Sequence, residues 1–261
     1  TEELVREADA VFHLASAVGV KLIMEKPVHT IQSIFNGTET ILRCSARYRR
    51  PTMIFSTSEV YGKSKDIPFR EDGDRLEGPT DKHRWAYANA KALDEFLALA
   101  YWKETRLPVV IVRLFNTVGP KQLGQYGMVL PNFVQKAIYN ESLVVHGDGS
   151  QKRCFCYVGD VVEAIVKLIN TREAYGEVVN IGSVEEVSMK ELAETVIRET
   201  NSDSSIIFRS YDEVYGEGFE DMARRVPCIE KAQRLIDFMP KMSLTDIIQS
   251  VRQDFLMNKD R

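Results

Sequence analysis

The sequence predicts an α/β protein built on a doubly wound parallel sheet, and two observations carry that reading. Short, continuously apolar segments recur at residues 10–15, 52–56, 109–114 and 177–181, as strands buried on both faces require. Between them lie stretches whose apolar residues fall three and four apart, the spacing of helices that cover a sheet.

The elements follow in chain order. After the strand at 10–15, residues 30–47 form a predicted helix with Ile31, Ile34, Phe35, Ile41 and Leu42 on its inner face. A second helix at 86–102 follows the strand at 52–56 and carries Ala90, Leu93, Phe96, Leu97 and Ala100. A third, at 160–169, follows an alternating segment that reads as a strand over 153–158. Strand alternating with helix implies right-handed crossovers in one sheet. Beyond residue 182 the pattern changes. Ser188 and Glu191 make a capping box that opens a helix to about residue 200. A strand at 205–209, an acidic Gly-containing loop to Asp221, and helices at 229–238 and 243–254 complete the chain. The predicted organisation is two interleaved lobes, residues 1–118 with 157–182 and residues 119–156 with 183–261.

Composition excludes several classes of function. A net charge of −4, from 34 Lys and Arg against 38 Asp and Glu, does not suit coating nucleic acid, which needs a basic surface. No apolar run approaches the roughly 18–20 residues that span a bilayer, so no membrane role is expected. Residues 1–7 lack the basic and apolar regions of a signal peptide. Cys44, Cys154, Cys156 and Cys228 are no disulfide framework, and the Cys154–Cys156 spacing is too tight for a zinc site. They read as buried apolar residues in a reducing, cytoplasmic location, with no metal.

The chemistry concentrates in Ser56-Thr-Ser-Glu59, at the end of a strand, and Tyr87-Ala-Asn-Ala-Lys91, on a helix. Positions i and i+4 share a helix face, so Tyr87 and Lys91 can point into one site. A nearby ammonium stabilises phenolate and lowers the tyrosine pKa, which makes a general base for a hydroxyl proton. Thr57, at the carboxyl end of a strand, is placed where open α/β sheets bind ligands.

These residues, with Val11-Phe-His-Leu-Ala15, Arg113-Leu-Phe-Asn-Thr-Val-Gly-Pro120, Val145-His-Gly-Asp-Gly149 and Arg224-Arg-Val-Pro227, resemble the extended short-chain dehydrogenase/reductases, in the branch of NAD-dependent nucleotide-sugar epimerases, dehydratases and decarboxylases. The resemblance runs almost end to end. It implies an incomplete Rossmann-type doubly wound parallel sheet with a smaller interleaved α/β substrate lobe, NAD as cofactor and a UDP-linked sugar as substrate. By resemblance Tyr87 is the catalytic base, Lys91 its partner and a ribose ligand, and Thr57 the hydroxyl that orients the sugar, with Ser58 and Glu59 beside it. Leu14, Ala15, Ser56 and Phe115 match positions lining the dinucleotide. Asn116 matches a ligand of the substrate diphosphate, and Val144 and His146 an edge for the nucleotide base. Arg153 and Arg225 resemble diphosphate clamps, with Arg224 a rival for the second position. His13 and His83 read as structural.

The resemblance leads to a C4 epimerase acting through a 4-keto sugar. A UDP-glucuronate decarboxylase is the alternative; a 4,6-dehydratase is disfavoured because Ser58 stands where that branch carries Asp. A Gly-rich phosphate turn after a first strand, which this family uses, is not found in the sequence. That implies an absent first βαβ unit and weak NAD binding by this chain, with an inactive binding scaffold as the non-enzyme alternative. The helices at 30–47 and 86–102 resemble a pair that forms a homodimer interface.

Overall fold

The computed structural model describes residues 1–16, 23, 25–124, 128–215 and 220–258. A short helix α1 (Glu2–Glu7) leads into the main sheet, whose strands β1 (Val11–His13), β2 (Thr52–Thr57), β3 (Val109–Leu114) and β8 (Val178–Ile181) lie side by side in that order, all parallel. β2 and β3 are buried almost throughout, which is why their sequences are apolar on both faces rather than alternating. Among the described residues β1 pairs on one side only, to β2.

Helices α2 (Pro27–Tyr48) and α3 (Ala86–Thr105) cover one face. α2 begins on Pro27, whose fixed φ suits a first helical turn. Its buried stripe runs Thr30, Ile34, Thr38, Leu42 and Ser45, so it is half polar, and Ile31 of the predicted face is 44% exposed. In α3 the inversion is stronger: Lys91, Asp94 and Glu95 are buried, whereas Leu93 and Phe96 stand 49% and 65% exposed. Periodicity located both helices and put Ile34, Leu42 and Ala90 inside as expected, but misplaced Ile31, Leu93 and Phe96, because paired charges take part of the inner face of α3.

On the other face, α5 (Val158–Ile169) and α8 (Glu230–Ile236) share a core with β2, β3 and β8 that includes Met53, Val112, Val161, Leu168, Val179 and Ile236. Thus α8, read from sequence as part of the substrate lobe, packs against the main sheet. A second core joins α4 (Val129–Ile138), α6 (Met189–Thr200) and α9 (Leu244–Met257) through Leu130, Phe133, Leu192, Val196 and Ile248. α6 opens on the expected capping box: the Ser188 hydroxyl accepts from the Glu191 amide at 3.1 Å, and the Glu191 carboxylate accepts from the Ser188 amide at 2.9 Å.

The small sheets belong to this second region. β5 (Leu143–His146) pairs in parallel with β10 (Ile206–Arg209). β6 (Lys152–Cys154) lies between β9 (Glu186–Ser188) and β11 (Arg224–Arg225). β4 (Thr117–Val118) pairs with β7 (Cys156–Tyr157). The single strand expected at 153–158 is therefore two strands in different sheets. At this point the chain crosses between cores: Phe155 belongs to the second and Cys156 to the first. The acidic loop expected before Asp221 contains a short helix, α7 (Tyr211–Tyr215), and its residues 216–219 lie outside the described residues. All four cysteines are free and buried, and burial pushes the Cys154 and Cys156 thiols up to about 12.

Candidate active site

The carboxyl ends of β2 and β3 open into a cavity of about 620 Å³ that also reaches β5, β6 and α7. Ligands bind at this end of open parallel sheets because strands there diverge into loops. Thr57, Ser58, Glu59, Tyr87, Leu14, Ser56, Phe115, Asn116, Val144, His146, Arg153 and Arg225 all line it. Of the residues singled out from sequence, Lys91 and Ala15 do not. His83 lies on the surface, and His13 is buried beneath the sheet edge.

Thr57 ends β2 and caps the single 3₁₀ turn Ser58–Tyr61 by accepting from the Glu59 amide at 3.3 Å. Its hydroxyl also lies close enough to the Tyr87 phenol to favour the phenolate. The turn closes on Gly62 at φ 60°, where an added Cβ would stand 2.2 Å from the Leu76 carbonyl oxygen. In the Asn116–Pro120 turn, a Cβ on Gly119 would meet Val158 Cγ1 at 2.4 Å. That close approach explains the glycine in the motif.

The expected lowering of the Tyr87 pKa by Lys91 is not what this arrangement produces. Burial raises the phenol pKa first and the Glu59 charge raises it further, against the Thr57 hydroxyl and Arg225. Lys91 is turned onto Asp94, 2.8 Å away, and both side chains are buried. Sequence spacing placed Tyr87 and Lys91 on one face; it carried no sign of the carboxylate one turn beyond.

The middle of the cavity holds a cluster of charges. Arg84 is 3% exposed and donates to the Glu59 carboxylate. Arg225 Nη1 approaches Ser58 Oγ at 3.4 Å and Glu59 Oε1 at 3.5 Å. Arg153 Nη2 donates to Asp221 Oδ2 at 2.9 Å. Burial pushes the Glu59 carboxyl up, but Arg84 and then Arg225 outweigh it and hold the group below its ordinary range. Burial lowers Arg225 to about 10, helped by Arg153. The two neighbouring arginines point to different places. Arg224 points away and grips Glu186 at 2.9 Å and 2.5 Å, whereas Arg225 lines the cavity. Arg225 also sits against Ser58 and Glu59, and its charge is felt at Tyr87.

At the far end, His146 meets Tyr215 edge-on with ring centroids 5.4 Å apart, and Tyr211 stacks on Tyr215 at 6.4 Å. Apolar rings with polar rims suit a planar heterocycle. Arg84, Asp221, Tyr211 and Tyr215 were missed from sequence. Only Arg84 left a signal, three residues before Tyr87 and so on the same side of the helix start.

Leu14, 59% exposed, and buried Phe115 also line the cavity, with Ser16 and Ser56, and are the apolar surface that would hold a nicotinamide ring. No group of three or more His, Cys, Asp or Glu side chains is placed to hold a metal ion, and no helix is long and apolar enough to cross a membrane, among the described residues.

Known proteins resemble this chain in sequence and in fold. A family model described as GDP-mannose 4,6 dehydratase matches residues 2–251. The UDP-N-acetyl-alpha-D-glucosaminuronate decarboxylase of Bacillus cytotoxicus is 43% identical over 256 residues, which are 96% of this chain and 79% of that protein. An epimerase from Methanothermobacter thermautotrophicus superposes with a TM-score of 0.89 at 26% identity, covering 100% of this chain and 77% of that one. The dTDP-glucose 4,6-dehydratase of Bacillus anthracis, solved in complex with NAD, gives a TM-score of 0.84 at 25% identity over 99% of this chain and 76% of that one. The parallel sheet, the Thr57–Tyr87 pair at its carboxyl edge and these matches together place the chain in the nucleotide-sugar epimerase/dehydratase family of the extended short-chain dehydrogenase/reductases.

Proposed function

We propose that the chain acts on a UDP-linked uronic acid, oxidising its C4 hydroxyl and releasing its C5 carboxylate as CO₂. The observation that carries this reading is Arg225 beside Ser58, Glu59 and Tyr87. A guanidinium at the reacting end of the cavity suits a substrate that brings a carboxylate there, and a neutral hexose offers it nothing to pair with. The 43% identity to a UDP-uronate decarboxylase supports the same outcome.

Thr57 orients the C4 hydroxyl and Tyr87 takes its proton, a transfer that needs the phenol's pKa brought back down in the loaded site. Leu14, Ser56 and Phe115 would hold NAD, which when bound would supply the acceptor and later the donor of the C4 hydride. The C4 ketone is β to the carboxylate, so the C5–carboxylate bond breaks with its electron pair passing toward C4. A proton delivered to C5 completes the exchange, and Tyr87, which has taken one from the C4 hydroxyl, is the donor we assign. Arg153 and Arg84 hold the diphosphate, and the His146, Tyr211 and Tyr215 rings receive the base.

C4 epimerisation is the second reading, since the Thr57–Tyr87 pair serves it equally and the Methanothermobacter neighbour bears that name. Products formed from UDP-glucuronate, UDP-N-acetylglucosaminuronate, UDP-glucose and dTDP-glucose, in the presence of NAD, separate the two. Loss of CO₂ from a uronate supports the proposal; inversion at C4 with carbon retained overturns it. The working unit proposed is a homodimer through α2 and α3, on the exposed Leu93 and Phe96.

A further inference from the structure

Asp221 lines the cavity between the proposed base and sugar ends, and its carboxylate is surrounded by donors. Arg153 Nη2 lies 2.9 Å from Oδ2 and the Tyr211 hydroxyl donates to the same oxygen at 3.2 Å. Arg84 Nη2 lies 3.8 Å from Oδ1, which also accepts from the Met222 amide at 2.8 Å. The other terminal nitrogen of Arg153 is committed to backbone, donating to the Lys152 carbonyl at 2.8 Å. So Asp221 holds the terminal nitrogen of Arg153 that the backbone leaves free. Burial works against the Asp221 charge, but Arg153, Arg225 and Arg84 keep its pKa below the ordinary value.

The arrangement as a whole has donors to spare. Three guanidinium groups, Arg84, Arg153 and Arg225, face two carboxylates, Glu59 and Asp221. The buried Nε atoms of Arg84 and Arg225 have no hydrogen-bond partner among the described residues. Unpaired buried donors on cationic side chains are costly, and an anionic ligand relieves that cost. Their placement suits a second anion in the same cluster.

We propose that Asp221 is the resident anion of this arginine cluster, which an incoming nucleoside diphosphate displaces from Arg153, so that Asp221 sets the affinity and specificity of the phosphate site. This inference rests on reading the cavity as a nucleotide-sugar site. A ligand that takes over Arg153 loses from its affinity the free energy of the contact it breaks. Uridine alone, seated on the aromatic end, breaks no such contact.

Isothermal calorimetry of the full chain with UDP and with uridine tests this, using the parent, Asp221→Asn and Asp221→Glu. Asp221→Asn is expected to bind UDP roughly tenfold more tightly, the equivalent of one charge-assisted hydrogen bond, with uridine unchanged. Asp221→Glu keeps the anion and is expected to bind UDP as the parent does. Thermal melting confirms folding, and Asp221→Ser replaces Asn with the same expectation if that variant does not fold. Unchanged or weaker UDP binding on loss of the charge overturns the proposal while leaving the nucleotide reading intact. A parent chain that binds uridine and UDP equally, or neither, overturns the site reading and the proposal with it.

Discussion

Arg113 on β3 and Glu95 on α3 form a two-pronged ion pair inside the protein, with Nη2 2.7 Å from Oε2 and Nε 3.0 Å from Oε1. The same carboxylate accepts the Ser56 hydroxyl from β2, and the guanidinium lies 4.8 Å from the centre of the Tyr61 ring. One acidic side chain thus fixes two strands to the helix that carries Tyr87.

Removing it should be severe. Glu95→Ala leaves Arg113 charged and unpaired in a buried setting, and the expected loss is about 3–5 kcal/mol of unfolding free energy. Urea denaturation measures it. A loss under about 1 kcal/mol, the scale of an exposed pair, would show that water reaches the guanidinium.

Tyr87→Phe should reduce turnover by roughly 10²–10⁴-fold, the usual worth of a positioned general base. UDP affinity should hold, because the arginine cluster and aromatic end are untouched. Single-turnover kinetics beside calorimetry separate the two effects, and retained turnover would place the base elsewhere.

The inner side chains of α3 were invisible to pattern reading for the reason that makes them useful. Apolar spacing finds a helix wherever hydrophobic residues recur, and it found 86–102 within a few residues of the observed ends. It then assumes that apolar means inward. Here Lys91 pairs with Asp94 and Glu95 with Arg113 inside, and Leu93 and Phe96 are left outside. Motif order was a better guide to the site than periodicity, because Thr57, Tyr87 and Asn116 sit at element ends fixed by the sheet. Asp221 had no comparable anchor: its role depends on Arg153, 68 residues away in sequence.

The outward face of α3 gives a further expectation. A double substitution Leu93→Glu with Phe96→Glu should leave the monomer folded and abolish the dimer, as read by light scattering. Exposed apolar side chains of this size on one helix favour a partner surface. Unchanged mass would move the interface elsewhere.

Acid should weaken the fold through two histidines whose pKa values burial lowers. His13 is pushed below its ordinary 6.5 by burial and by Lys91, and His146 by burial, with Asp221 opposing. In the unfolded chain both take up protons near 6.5, so the unfolded state binds more protons and stability falls as pH drops below that value. The loss ends once pH passes the folded-state values. Urea midpoints between pH 7.5 and about 5 should show this slope, and His13→Gln should flatten part of it. A slope unchanged by that substitution would assign it to other groups.

The crossing of the chain between its two cores also sets an order of events. β3 is complete at Leu114, but its neighbour β8 begins at Val178, after β5, β6 and α5 have been made. A chain emerging from the ribosome therefore carries β3 with an exposed edge through the synthesis of some sixty further residues, at synthesis rates of ~5–20 residues per second. Unpaired edges of that kind recruit other strands. The long insertion that supplies Arg153 thus leaves that strand edge open to other chains for several seconds of synthesis.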